Sequence, residues 1–129
     1  MPVVTIDDAS LAVDLARALV NGGIRVVEVT LRTGAALRAI ETIAREAPEI
    51  TVGAGTVLGI GDLEAAQRAG AAFAISPGAT AELLAAGKRS AIPYLPAIAT
   101  ASELMSALAA GYEHVKFFPA TVAGGVPAL

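Results

Sequence analysis

Apolar positions along the chain fall into two alternating kinds of segment. Short, β-branched runs occur at Val3–Ile6, Arg25–Thr30, Thr51–Ala54, Ala72–Ile75, Ile92–Leu95 and His114–Phe118. They are mostly apolar without clean alternation, the pattern of parallel strands covered on both faces. Between them lie longer Ala- and Leu-rich stretches with helical spacing. Ser10–Asn21 sets Leu11, Leu15, Ala18 and Leu19 at that spacing and stops at Gly22–Gly23. Gly34–Ala47 puts Leu37, Ile40 and Ile43 on one face and stops before Pro48. Asp62–Ala69, Thr80–Ala86 and Thr100–Ala110 end at Gly70, Gly87 and Gly111. Thr100 and Glu103 have the spacing of a capping box.

A βα unit therefore recurs every ~20–26 residues, a usual length for such units. Repeated right-handed βα units build either an open doubly wound sheet or a closed barrel, and the pattern alone does not choose. No linker, repeat or low-complexity tract interrupts the 129 residues, so one domain is expected, large enough for a real core.

The composition, 55% apolar against 16% charged, excludes disorder, and the abundance of Ala favours closely packed helices. A net charge of −3 with no basic patch argues against a nucleic-acid partner. Without cysteine, disulfides and thiolate metal sites are excluded, and a reducing cytoplasm is the expected location. Met1–Asp8 has neither the basic nor the apolar region of a signal peptide, and Gly, Pro or a charge interrupts every apolar run before it could span a bilayer. No membrane association is expected.

In both architectures ligands bind at the carboxyl ends of the strands, so polar residues there are the candidates. Glu28 stands inside an apolar strand, which is unfavourable unless the carboxylate has a partner or a task. With period-two alternation Glu28, Thr30 and Arg32 share a face while the strand lasts. One reading is an edge strand with a Glu28–Arg32 ion pair; the other is an inward acid and cation at a site. Lys116 stands between Val115 and Phe117 in the last strand, with Phe118 on its own face. It is either an edge lysine that snorkels to water or a desolvated amine suited to Schiff-base chemistry.

Gly53-Ala54-Gly55-Thr56 joins a strand to a helix, but the third glycine of a dinucleotide fingerprint would fall at Leu58, with Gly59 one residue late. A tight turn offering the Thr56 hydroxyl is the better reading. Ser76-Pro77-Gly78 and Pro96-Ala97 end the fourth and fifth strands as ordinary turns. His114, the single histidine, opens its strand without neighbouring carboxylates and reads as structural.

Four segments in order, Glu28–Thr33, Val52–Leu58, Phe73–Gly78 and Val115–Ala120, carry a resemblance that runs from Pro2 to Leu129. Together they resemble the 2-keto-3-deoxy-6-phosphogluconate (KDPG) and 4-hydroxy-2-oxoglutarate (KHG) aldolases, class I enzymes. The resemblance implies an α/β fold of the parallel (β/α)8, TIM-barrel type, in a homotrimer, with no metal and no cofactor. It implies that Lys116 forms the imine with the substrate's C2 carbonyl and that Glu28 moves protons, partly through water. Arg32 and Thr56 would hold the pyruvyl carboxylate, and Pro77 and Phe118 would line the pocket. The substrate would be a 2-keto-3-deoxy acid cleaved to pyruvate and an aldehyde.

Ala97 departs from the family, which commonly has Gly there, and its methyl is expected to crowd the pocket mouth. Pro127 falls in what would be the next helix's first turn. Six of eight strands are legible. The family's first helix and strands seven and eight, whose loops commonly bind phosphate, have no counterpart, so barrel closure needs further chain or another copy. Two other functions stand beside the aldolase: a catalytically impaired barrel fragment serving as an assembly or scaffold module, and a nucleotide-binding Rossmann-type domain.

Overall fold

A computed structural model describes residues 1–128. Strand β1 (Val3–Val4) leads through a 3-10 turn (Ala9–Leu11) into helix α1 (Ala12–Asn21). Then follow β2 (Val26–Thr30), α2 (Ala36–Glu46), β3 (Thr51–Gly55), α3 (Ile60–Arg68), β4 (Ala74–Ile75), α4 (Ala81–Arg89), β5 (Tyr94–Leu95), β6 (Ala97–Ile98), α5 (Ala101–Ala109) and β7 (Lys116–Phe117). A second 3-10 turn spans Val126–Ala128 and contains Pro127. All five helices and every strand except β6 fall within or close to the segments the hydrophobic pattern marks.

Five strands form one parallel sheet in the order β1-β2-β3-β4-β5, and β6 pairs with β7 in a second, also parallel. The Pro96-Ala97 pair does not end the fifth strand, as the sequence reading expects. Pro96 has no N–H to donate, so it breaks the ladder rather than the strand. On one side of it Ser76 N donates to Leu95 O (3.2 Å); on the other Lys116 N donates to Pro96 O (2.9 Å). One extended segment thus pairs with its two neighbours in succession, which gives seven ladder segments on six barrel strands.

The outward face of the sheet carries Val27, Val29, Val52, Ala54 and Ala74, all nearly inaccessible. They pack with Ala12 and Ala16 of α1, Ala36, Ala39, Ile40 and Ile43 of α2, and Leu63 and Ala66 of α3. Burying each Val or Ile stabilises by about 1.5–3 kcal/mol. The alanines contribute closeness: their small side chains let helix backbones approach the sheet. At α5 the Thr100–Glu103 capping box is present, with Thr100 Oγ1 accepting from Glu103 N and the Glu103 carboxylate accepting from Thr100 N.

Helix α4 does not stop at Gly87. It runs on to Arg89, and Gly87 is buried within it. A side chain there would enter the rings of Tyr94 and Tyr112, so the glycine serves packing rather than termination.

The sheet curls. Glu28 on β2 and Lys116 on β7 are four inter-strand steps apart, roughly 19 Å in a flat sheet. That is more than the two side chains can bridge, yet the Lys116 ammonium and the Glu28 carboxylate meet at 3.6 Å. The sheet therefore bends around its inward face, as a barrel wall does and an open doubly wound sheet does not. No helix among the described residues is long and apolar enough to cross a membrane.

Candidate active site

The inward face of the curled sheet is where polar groups collect. Alternation along β2 sends Val27 and Val29 into the helix layer and Glu28 and Thr30 inward. Thr30 donates to Val4 O (3.1 Å) and pairs with the Thr5 hydroxyl (3.0 Å), which ties the C-terminal ends of β1 and β2 together. Glu28 is 2% exposed and its Oε1 lies 3.6 Å from Lys116 Nζ. The alternative Glu28–Arg32 edge pair is not formed: the cation that meets Glu28 is Lys116.

Room for that carboxylate comes from β3. Gly53 and Gly55 stand on its inward side, paired with Glu28 and Thr30. A Cβ at Gly55 would fall inside the Glu28 carboxyl group, and one at Gly53 inside the Phe73 ring. These glycines are a functional feature the sequence reading took only as a turn. Two glycines alternating within an apolar strand were the available signal, because they mark a surface that something else must fill.

Lys116 opens β7, next to Ala97 of β6 in register. Ala97 is buried, so its methyl occupies the strand beside the amine. The Lys116 side chain is 28% exposed, so it is partly but not fully withdrawn from water. Phe118 shares its face, and Nζ stands 5.0 Å from the Phe118 ring centre, within cation–π range.

Thr56 follows β3 directly, and Arg32 and Pro77 come two residues after β2 and β4, so all three lie beyond the carboxyl ends of their strands. Thr56 and Pro77 are half-buried. Thr56 adopts φ +58, a left-handed backbone that a β-branched residue rarely takes and that costs on the order of 1–3 kcal/mol. Arg32 lies on an exposed turn, because β2 stops at Thr30, and the strand alternation that would align it with Glu28 has lapsed. Lys116, Glu28 and Phe118 are thus brought together, and Arg32 stands at the rim. His114 is exposed at the start of the last strand region. Among the described residues no group of three or more His, Asp or Glu side chains is arranged to hold a metal ion.

Three recesses lie elsewhere. One of about 940 Å³ sits at the opposite end of the strands, by Phe73, Tyr94, Tyr112 and His114. One of about 610 Å³ separates α4 from α5, and one of about 420 Å³ adjoins Leu58, Pro77 and Thr80. None of these three includes Glu28 or Lys116. Chemistry, not volume, singles out the pair: a nucleophilic amine next to a buried carboxylate can form an imine and shuttle its protons.

Known proteins share this chain's sequence and fold. The family model described as KDPG and KHG aldolase matches residues 1–129. The 2-dehydro-3-deoxy-phosphogluconate aldolase of Pseudoalteromonas atlantica is 53% identical over 129 residues, which are 100% of this chain and 60% of that protein. The KHG/KDPG aldolase of Escherichia coli K12 is 52% identical, again over all of this chain and 61% of its own length. The chain thus spans about 60% of the length of these curated relatives. Among solved structures, a KDPG aldolase from Legionella pneumophila, with pyruvate captured at low pH as a covalent carbinolamine, superposes with TM-score 0.95 at 52% identity, over 98% of this chain and 61% of that one. With the curled parallel sheet and a family match along its whole length, this chain belongs to the KDPG and KHG aldolase family.

Proposed function

We propose that this chain carries the imine-forming part of a class I aldolase that cleaves 2-dehydro-3-deoxy-6-phosphogluconate to pyruvate and glyceraldehyde 3-phosphate, or 4-hydroxy-2-oxoglutarate to pyruvate and glyoxylate. The observation that carries the reading is the 3.6 Å approach of Lys116 Nζ to Glu28 across the curled sheet. Residues 1–129 form, on this reading, part of one barrel domain of a cytoplasmic homotrimer.

The Lys116 amine adds to the C2 carbonyl, and the carbinolamine loses water to give an iminium. Glu28, directly or through a water molecule, supplies and removes the protons. A base then takes the C4 hydroxyl proton. The C3–C4 bond breaks, its electron pair moves into the iminium to give an enamine, and the aldehyde leaves. Protonation at C3 and hydrolysis return the amine and release pyruvate. The iminium is the electron sink, so no metal is required by this sequence of steps. Arg32 and Thr56 hold the pyruvyl carboxylate, the former as a cation at the rim and the latter through hydroxyl and backbone. Pro77 and Phe118 form apolar walls that keep water from the imine.

Borohydride reduction in the presence of pyruvate tests the reading. The expected result is a single adduct on Lys116, located by peptide mass spectrometry and missing in Lys116→Ala. Equal labelling of the Ala variant would overturn the assignment.

A further inference from the structure

A buried chain of hydroxyls and rings runs behind the site and is not used by the chemistry above. Ser76, fully buried, directly precedes Pro77 at the end of β4. Its hydroxyl is 2.6 Å from the hydroxyl of Tyr94 on β5, which is 8% exposed. The Tyr94 ring meets the Tyr112 ring edge to face at 5.9 Å. The Tyr112 hydroxyl donates to Leu84 O of α4 (2.8 Å). Lys88 closes the far end, with Nζ 4.8 Å over the Tyr112 ring and bonded to Gly111 O (2.7 Å). Gly87 is bare so that both rings can lie against α4.

The chain thus ties α4 and β5 to the two segments that carry candidate site residues. One is β4, which is followed directly by Ser76-Pro77. The other is the approach to β7, where Tyr112 stands four residues before Lys116. Ser76 and Tyr94 face the helix layer, on the opposite side of the sheet from Glu28 and Lys116. Neither can touch a substrate. What they can do is fix where the backbone leaves β4. Among the described residues the 2.6 Å bond is the sole side-chain polar tie of Ser76, and without it a fully buried hydroxyl would have to turn to another partner.

We propose that Tyr94 is a positioning residue, which through its bond to Ser76 fixes the Pro77 wall and with it the affinity of the site for its 2-keto acid. The inference rests on the aldolase reading. Edge-to-face packing of Tyr94 on Tyr112 holds the ring whether or not the hydroxyl is present. Tyr94→Phe therefore keeps the ring and removes only the tether.

The experiment measures borohydride trapping of pyruvate on the full chain at increasing pyruvate, in the wild type, Tyr94→Phe, Ser76→Ala and the double variant. Half-saturating pyruvate is expected to rise roughly three- to ten-fold in either single variant, the equivalent of one lost hydrogen bond. The trapping rate at saturation should stay near the wild-type value, and the double variant should be no worse than the singles. Ser76→Ala carries the same expectation as Tyr94→Phe and leaves the ring layer intact, so it stands in should the other fail to fold. A folded variant with unchanged half-saturation, whatever its melting temperature, overturns the positioning role and leaves the aldolase reading intact. If the wild type forms no adduct at all, the aldolase reading falls and this inference falls with it.

Discussion

Substituting Gly55 by Ala puts a single methyl into the space occupied by the Glu28 carboxyl group. The backbone at that point cannot retreat. Gly55 is paired with Thr30 in the β2–β3 ladder, and its carbonyl accepts from Leu31 N at 2.8 Å. The carboxylate must give way, and at 2% exposure it is closely enclosed. Overpacking of this kind destabilises by about 1–3 kcal/mol. At about 4 °C per kcal/mol for a chain of this size, Tm should fall by about 4–12 °C. A displacement of about 1 Å at a proton-transfer group lowers its rate by about a hundred-fold. Exchange of pyruvate methyl protons for deuterium, followed by NMR, reads that transfer directly, because the enamine must be formed and reprotonated. Folded Gly55→Ala protein should exchange roughly a hundred-fold more slowly than the wild type, and borohydride trapping on Lys116 should slow as well, because the same carboxylate serves imine formation. Exchange at the wild-type rate would refute the claim that β3 is bare to make room for Glu28.

Further outcomes follow from the same structure. Burial, with a smaller contribution from Tyr94, pushes the Tyr112 phenol up to about 12. The folded state thus holds that proton more tightly than the unfolded chain does, and the associated stability is complete below about pH 10 and is lost as pH rises through 12. Tyr112→Phe should be about 1 kcal/mol less stable than the wild type at pH 7, for want of the bond to Leu84 O. In urea titrations the gap should close between pH 10 and 12; a constant gap would contradict the assignment. Thr100→Ala removes the α5 cap and should destabilise by about 1 kcal/mol, with trapping on Lys116 unchanged. Helix α5 ends well before the strand that bears the amine, so altered labelling would show a coupling the packing does not predict.

Much of this architecture is legible in the residues. Parallel strands buried on both faces leave unbroken apolar runs, and Lys116 and Glu28 stand out because each violates such a run. Family motifs then give their expected roles. What the chain does not spell out is mostly three-dimensional adjacency. Pro96 reads as a stop because a missing N–H ends most strands, yet here the ladder changes partner around it. Gly87 reads as a helix end because glycine commonly follows one; that two tyrosines, distant in sequence, lie against it is invisible locally. Arg32 reads as aligned with Glu28 only if the strand persists two residues longer than it does. The exposure of Lys116 depends on what covers its tip, which no period or propensity records. Gly55 is the most instructive case: its meaning lies in the side chain of another strand.

The contact between Glu28 and Lys116 has a consequence for assembly. Its partners stand on β2 and β7, which are not neighbours in either sheet, so no single hairpin or βα unit contains both. Strands β1, β2 and β3 with the first two helices hold the acid but not the amine. The acid and the amine are therefore brought together only where the wall has come round on itself.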